Sequence, residues 1–444
     1  MTGKILEMAL STQPYKGARD FYPEDKRIQK YMFKTIRRVV EKFGYEEYDA
    51  PFLEPTELYA SKTSDEIVNE QTYSFTDRGD RAVTIRTEMT PSVSRMVAGR
   101  RQELAYPVRW YSIPNLWRYE RPQRGRMREF FQPNVDIFGV NGIEGDHEII
   151  LVADTIMQAF KAKRDMYTIK INSRKLMDSL FQDYLKLSQT QAVTMGRLID
   201  RMHKMDYAEF VGNVDAIFQP AQRENGETDM LLAFLQVKNL GELPAQLKDH
   251  PSIGELTKLL DMLHASGITN IEFDPTLMRG FDYYTDVVFE VFDNHPDNNR
   301  SMYGGGRYEG LVTLFGVESV SAVGFALGDV TLQNFLESHK LMPNLQPETD
   351  LYVILIGDVY SRSQKVFKEL RDSGVKVAVD STGRKPDKQI KTAVKKGIHY
   401  ALFIGEKELE DDQYVLKNLS AGTDERRGIT RIVSIVKDYR QKKK

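Results

Sequence analysis

Hydrophobic and polar positions along the chain change period several times, and each change marks an element. From Pro23 onward, Ile28, Met32, Ile36, Val39 and Phe43 recur at spacings of four, four, three and four, which makes one helical stripe. Pro23 suits the first turn, where its missing N–H costs nothing, and Gly44 ends the helix. Tyr48 to Glu54 reads as extended, with Pro51 suited to an edge or an interface. Asp77 to Arg81 is a turn by composition. It leads into Ala82 to Thr90, where Arg86, Glu88 and Thr90 share a face if the segment stays extended. Thr90 is then a candidate cap for the helix that Pro91 opens. Arg164 to Asn172 has the pattern of a strand, Arg174 to His264 that of helices, and strand patterns resume at Ile271, with Val287 to Phe292 and Ala322 to Leu327 following. Gly328-Asp329 starts a helix running to about His339, with Asp329 as its cap rather than a magnesium ligand.

The most informative alternation lies in Leu116 to Gly139, LWRYERPQRGRMREFFQPNVDIFG. It predicts a strand, a tight arginine-rich loop and a returning strand. Arg118 and Glu120 share one face going out, and Gln132, Asn134 and Asp136 share one coming back. Phe131, Pro133, Val135 and Ile137 alternate with the latter, so one face can be buried while the other forms a polar floor. Arg121, Arg124, Arg126 and Arg128 fall in the loop. Guanidinium groups that dense suit phosphate oxygens, although a solvated basic hairpin tip would look the same.

Beyond the linker Pro343 to Glu348, LYVILIG, a helix from Ser361 to Ser373, VKVAVD, a helix near Lys388 to Lys396 and YALFIG alternate as βαβαβ, which predicts a small α/β domain. Its second helix carries Lys385, Lys388, Lys391, Lys395 and Lys396, a solvated face or an RNA contact. The predicted organisation is one domain in two parts, residues 1–173 and 265–342, separated by a helical insertion at 174–264 and followed by the α/β domain at 349–444.

Composition narrows the choices. With 62 lysines and arginines against 64 aspartates and glutamates, any nucleic-acid surface must be a local patch. Absence of cysteine removes disulfides, thiolate metal sites and cysteine nucleophiles, and fits a reducing compartment. The seven histidines are scattered, so no protein-built metal site is expected. No run is long enough to span a bilayer and the first residues lack a secretory apolar core, so a cytoplasmic protein without membrane contact is expected. Among the chemically suggestive stretches, Glu88 at a strand-to-helix junction could hold an ammonium group or simply pair with Arg86. Met278 to Tyr284 places Arg279 and the phenols Tyr283 and Tyr284 beside Gly280, and Tyr303 to Tyr308 (YGGGRY) could admit a flat ring against bare backbone.

Together these stretches resemble the histidyl-tRNA synthetase family over nearly the whole chain: GARDFYPE, APFLEPTEL, RTEMT, WRYERPQRGRMREFFQ, RGFDYYT, GGGRYEGLV and the C-terminal α/β domain. The resemblance implies an α+β fold, an antiparallel-sheet class II synthetase catalytic domain with a helical insertion plus a C-terminal α/β anticodon-binding domain. It implies a homodimer that activates L-histidine with ATP, magnesium bridging the phosphates, and passes the histidyl group to tRNA(His). By resemblance, Arg118 and Arg279 are catalytic, and Arg118, Glu120 and Arg126 seat ATP. Asp136 and Tyr284, with Tyr283, read the imidazole; Glu88, Thr90 and Gln132 hold the amino-acid end. There is one departure: Thr331 stands where the family has an arginine that holds the ATP tail, so either a neighbouring cation such as Arg307 substitutes or the tail is held more loosely. A second reading is a non-charging histidine sensor resembling the synthetase-like subunit of ATP phosphoribosyltransferase. Such paralogues typically lack the C-terminal domain and the arginine of RGFDYYT, both present here.

Overall fold

The computed structural model describes residues 10–60, 71–248, 250–278, 283–298 and 300–442. The chain divides into two compact units, one spanning Lys30–Met342 with the residues up to Asp20, the other Pro343–Lys444 with Phe21–Gln29.

The first unit is organised by an eight-stranded sheet. Across it run Glu46–Glu47, Val108–Ser112, Asn134–Phe138, Ala322–Leu327, Ser301–Tyr308, Tyr284–Asp293, Tyr167–Ser173 and Ile271–Phe273. The inner pairings are antiparallel, and only the outermost pair at each margin is parallel. Strands from before and after the helical stretch thus lie side by side: Tyr167–Ser173 pairs with Tyr284–Asp293.

Register decides what each face carries. Asp136, Gly324, Gly306 and Val288 are directly opposed across four strands, and Asn134, Ala326, Gly304 and Glu290 form the next row on the same face. The intervening row, Val135, Phe325, Gly305 and Phe289, points the other way. Its side chains are buried, and the helix Ile143–Ala159 packs there, with Gly145 against Val323. The predicted split at Asn134–Phe138 is therefore present, with Val135 and Ile137 in the core and Asn134 and Asp136 on the polar side.

Other expectations need adjustment. Leu116 to Gly139 is not one hairpin in one sheet: Asn115–Trp117 pairs with Glu129–Phe131 as a separate ribbon, and Asn134–Phe138 continues into the large sheet. The strand starting at Ala82 stops at Ile85, so Arg86 and Glu88 do not share an extended face; Arg86 turns to Asp49 (2.7 Å) and the carbonyls of Ala50 and Asn115. Thr90 is the first helical residue of Thr90–Gly99, with Met89 in the cap position. The Pro23–Lys42 helix and its stripe are as expected, Met32, Ile36 and Val39 being buried.

The second unit has a five-stranded sheet ordered Val377–Val379, Leu351–Leu355, Tyr400–Ile404, Tyr414–Asn418 and Thr423–Arg427. The first three strands are parallel with the helices Gln364–Asp372 and Pro386–Lys395 between them, as the alternation predicts. The antiparallel hairpin and the helix Ile429–Lys442 that complete it are additional. Thr423–Arg427 is wholly exposed and lacks the apolar alternation that would mark a strand. No helix among the described residues is long and apolar enough to cross a membrane.

Candidate active site

The polar face of the large sheet floors a cavity of about 460 Å³. At one end acids and phenols meet. Asp136 is 4% exposed, and its Oδ1 accepts a hydrogen bond from the Tyr308 hydroxyl at 2.7 Å. Opposite it stands Gly324, where a Cβ would lie 2.1 Å from that same oxygen; the carboxylate occupies the space a side chain would need. Burial pushes the Asp136 carboxyl up to about 7, with the Tyr308 hydrogen bond pulling the other way. Burial and then the Asp136 charge raise the Tyr308 phenol well above its usual range, so it remains a donor. Glu88, 3% exposed, accepts from the Tyr283 hydroxyl at 3.2 Å. The Tyr283 ring lies 4.8 Å from that of Tyr284 and 5.9 Å from that of Tyr308, which links the two carboxylates through packed phenols. Since Arg86 is engaged elsewhere, the simple Glu88–Arg86 pair is not formed. Thr90 and Gln132 line the wall beside this group.

The other end is cationic. Arg118 leaves the Asn115–Trp117 ribbon, its backbone N–H bonded to the carbonyl of Arg128 at 2.9 Å, and its Nε donates to the carbonyl of Thr87 at 3.0 Å. Its guanidinium lies over the Phe130 ring. Arg126 follows Gly125, whose φ of +74° makes the loop tip, and pairs with Glu120 at 2.9 Å. Arg118, Glu120 and Arg126 all reach the cavity. The remaining loop arginines do not line it: Arg124 binds Asn298, Arg128 stacks 4.0 Å from the centre of Tyr119, and Arg121 is exposed.

Arg307 corrects an expectation. It sits on the opposite face of the sheet, in the row of Val323 and Ile137. It is 4% exposed, and all of its N–H donors are taken by Asp146, Ser321 and the carbonyls of Val140 and Gly142. A guanidinium so committed is structural and cannot hold a nucleotide tail. Asp329 is likewise not a helix cap: it pairs with Arg19 at 2.7 Å and accepts from the Phe131 N–H at 3.0 Å. Arg279 lies outside the described residues.

Several lining residues are given no role by the sequence: Asn134, although placed on the polar face, and Tyr308, Glu290, Arg300, Asp200 and Lys204. The last two come from the helical stretch, in which no catalytic constellation is expected. Tyr308 was legible in principle, since counting alternation from Gly304 puts Gly306 and Tyr308 on one face and Arg307 on the other. Asp200 and Lys204 carry no comparable signal. Among the described residues no group of three or more His, Asp or Glu is placed to hold a metal ion.

Chemically, one cavity offers an acidic cradle with aromatic walls next to guanidinium forks, which suits a cationic amine beside a phosphate-bearing substrate. The family model described as histidyl-tRNA synthetase matches residues 17–331, and that described as an anticodon binding domain matches residues 350–439. A histidine–tRNA ligase of Leptospira biflexa is 42% identical over 417 residues, covering 94% of this chain and 95% of the relative. One from Thermoplasma volcanium is 36% identical, covering 92% and 95%. Among solved structures, the histidyl-tRNA synthetase of Nostoc sp. PCC 7120 superposes with a TM-score of 0.80 over 97% of this chain and all (100%) of that one; at 23% identity it speaks for the fold. Apo histidyl-tRNA synthetase of S. aureus gives 0.71 at 26% identity, over 96% of this chain and 100% of that one.

Proposed function

Because this chain belongs to the histidyl-tRNA synthetase family, we propose that its cavity binds L-histidine at the acidic end and ATP at the cationic end, and joins them. The enzyme is an aminoacyl-tRNA synthetase, a histidine–tRNA ligase. The histidine carboxylate attacks the α-phosphorus of ATP, pyrophosphate leaves, and the 3′-terminal ribose hydroxyl of tRNA(His) then attacks the acyl carbon and releases AMP. The attacking carboxylate is ionised at neutral pH, so the first step needs no protein base. Rate comes from alignment and from neutralising charge on the phosphates.

The roles come from the resemblance and are supported by position. Asp136 accepts a hydrogen bond from the imidazole while Tyr308 keeps the carboxylate oriented, and Tyr283 and Tyr284 wall the ring. Glu88 receives the α-ammonium group, with Thr90 and Gln132 beside it. Arg118 faces the α-phosphate, and Glu120 and Arg126 seat the nucleotide. Arg279 is assigned by resemblance to the charge that grows on the α-phosphate. Magnesium binds nucleotide phosphates with only one or two protein carboxylates, and Glu120 and Glu290 on the cavity wall are of that kind; when bound, it neutralises phosphate charge.

The C-terminal unit reads the anticodon end of the tRNA, supported by the exposed Lys385, Lys388, Lys391 and Lys395 on and beside the helix Pro386–Lys395. The work is cytoplasmic. A homodimer is supported by the exposed Phe52, Leu53 and Phe75 on and beside the small sheet formed by Leu53–Pro55, Ala82–Ile85 and Ser74–Thr76. The observation that carries the reading is the meeting of Glu88 and Asp136 with Arg118 and Arg126 in one cavity. Histidine-dependent exchange of pyrophosphate into ATP tests it. Exchange with histidine and not with other amino acids is expected; histidine binding without exchange would point instead to the sensor.

A further inference from the structure

Among the described residues, Lys204 and Arg300 are cavity cations with no part in the roles above, and Arg300 adjoins Arg126. Arg300 stands immediately before the strand Ser301–Tyr308 and lines the cationic end with Gly125, Arg126 and Thr331. It also borders a recess of about 30 Å³ that it shares with Arg124, Thr331 and Asn334. A Cβ on Gly125 would lie 3.2 Å from Arg300 Cδ and 3.3 Å from Thr331 Cγ2, so the arginine stem and the threonine methyl flank the same bare glycine.

The guanidinium is half-buried, and among the described residues no carboxylate pairs with it. Three of the acids nearby are committed, and Asp297, which lines the same recess, is mostly exposed. Glu120 holds Arg126 at 2.9 Å, and Asp329 holds Arg19 at 2.7 Å. Asp293 is bonded to His339 Nε2 at 2.7 Å and to Asn298 Nδ2 at 2.6 Å. Burial, followed by the charge of Arg126, lowers the pKa of Arg300, with Glu120 opposing. A partly buried cation next to a second cation is unfavourable until an anion joins them. Thr331 provides no charge, because it is neutral and its hydroxyl donates to the carbonyl of Gly328 at 3.0 Å.

We propose that Arg300 is the ligand of the β- and γ-phosphates of ATP, and of the pyrophosphate after cleavage, supplying from the strand the charge that Thr331 does not supply from the helix Asp329–Ser338. A bidentate fork on the outer phosphates would hold the leaving group in line behind the α-phosphorus. The inference rests on the reading of the cavity as an ATP site.

The test is ATP–pyrophosphate exchange on the full-length chain, with separate KM values for ATP and histidine. In Arg300→Ala the KM for ATP rises roughly tenfold or more, the scale of one lost charge-assisted contact, while that for histidine stays within about twofold. Arg300→Lys, which keeps the charge without the fork, falls between and carries the test should the alanine variant not fold. Arg300→Ala combined with Thr331→Arg recovers most of the lost ATP affinity. An unchanged ATP KM in the single variants, an equal rise for histidine, or no recovery in the double variant would each overturn the proposal. Absence of histidine-dependent exchange in the unaltered protein would remove the ATP-site reading itself, which separates the two failures.

Discussion

Asp136 shows how far one residue's chemistry depends on its surroundings. As a short acid on the polar side of a strand it is an ordinary candidate, yet its place against Gly324 and Tyr308 removes it from water and raises its carboxyl to about 7. An acid with a raised pKa binds more protons folded than unfolded between its unfolded value and about 7. Its contribution to stability is therefore full below the unfolded pKa and is lost as pH rises through about 7 in the ligand-free protein. Denaturant midpoints measured from pH 5 to 8, on the order of the range where this group titrates, should fall with pH, and Asp136→Asn should flatten that slope while raising the KM for histidine. Arg307 teaches the complementary lesson. Beside a glycine run it looks available, but parity along the strand sends it into the core, where Asp146, the Ser321 hydroxyl and backbone carbonyls take every donor.

At the scale of elements, the site is made by strands that carry almost no side chains on their polar face. Gly304 and Gly306 on one strand, and Gly324 and Ala326 on the next, leave a bare floor between Asp136 and Glu290. Gly324 is tightly enclosed, since a Cβ there would meet both the Asp136 carboxylate and, at 2.7 Å, the Val135 carbonyl. Gly324→Ala should displace the Asp136 carboxylate and raise the KM for histidine roughly tenfold, with a stability loss of about 1–3 kcal/mol from overpacking. Exchange kinetics and a denaturation curve check both, and an unchanged histidine KM would mean that the strands yield. The arginine loop shows the same economy: its glycine at positive φ turns Arg126 inward, while Arg124 and Arg128 brace the outside on Asn298 and Tyr119.

For the molecule as a whole, the two units divide the labour. The cavity belongs to the first, and the exposed lysines of the helix Pro386–Lys395 to the second. Lys388→Glu with Lys391→Glu should therefore leave histidine-dependent exchange intact and raise the KM for tRNA(His) in charging roughly tenfold, an effect that shrinks as salt is added. Equal loss in both assays would place that helix in a structural role. Most elements were legible from the chain alone, because a helical stripe such as Met32, Ile36 and Val39, or a strand alternation such as Asn134 to Phe138, is local and is set by backbone geometry. The same alternation already separated Asp136 from Val135. Which distant groups meet was settled only by register and packing: Tyr308 reaches Asp136 across 172 residues of sequence. Asp200 and Lys204 arrive from the helical stretch with no mark of their own, and Arg300 stands before the strand at the cavity whereas Arg307 is buried on the opposite face and held by Asp146. Hydrogen-bond partners and burial are properties of the assembled sheet, so the sequence specified the faces and the tertiary structure chose the occupants of the site.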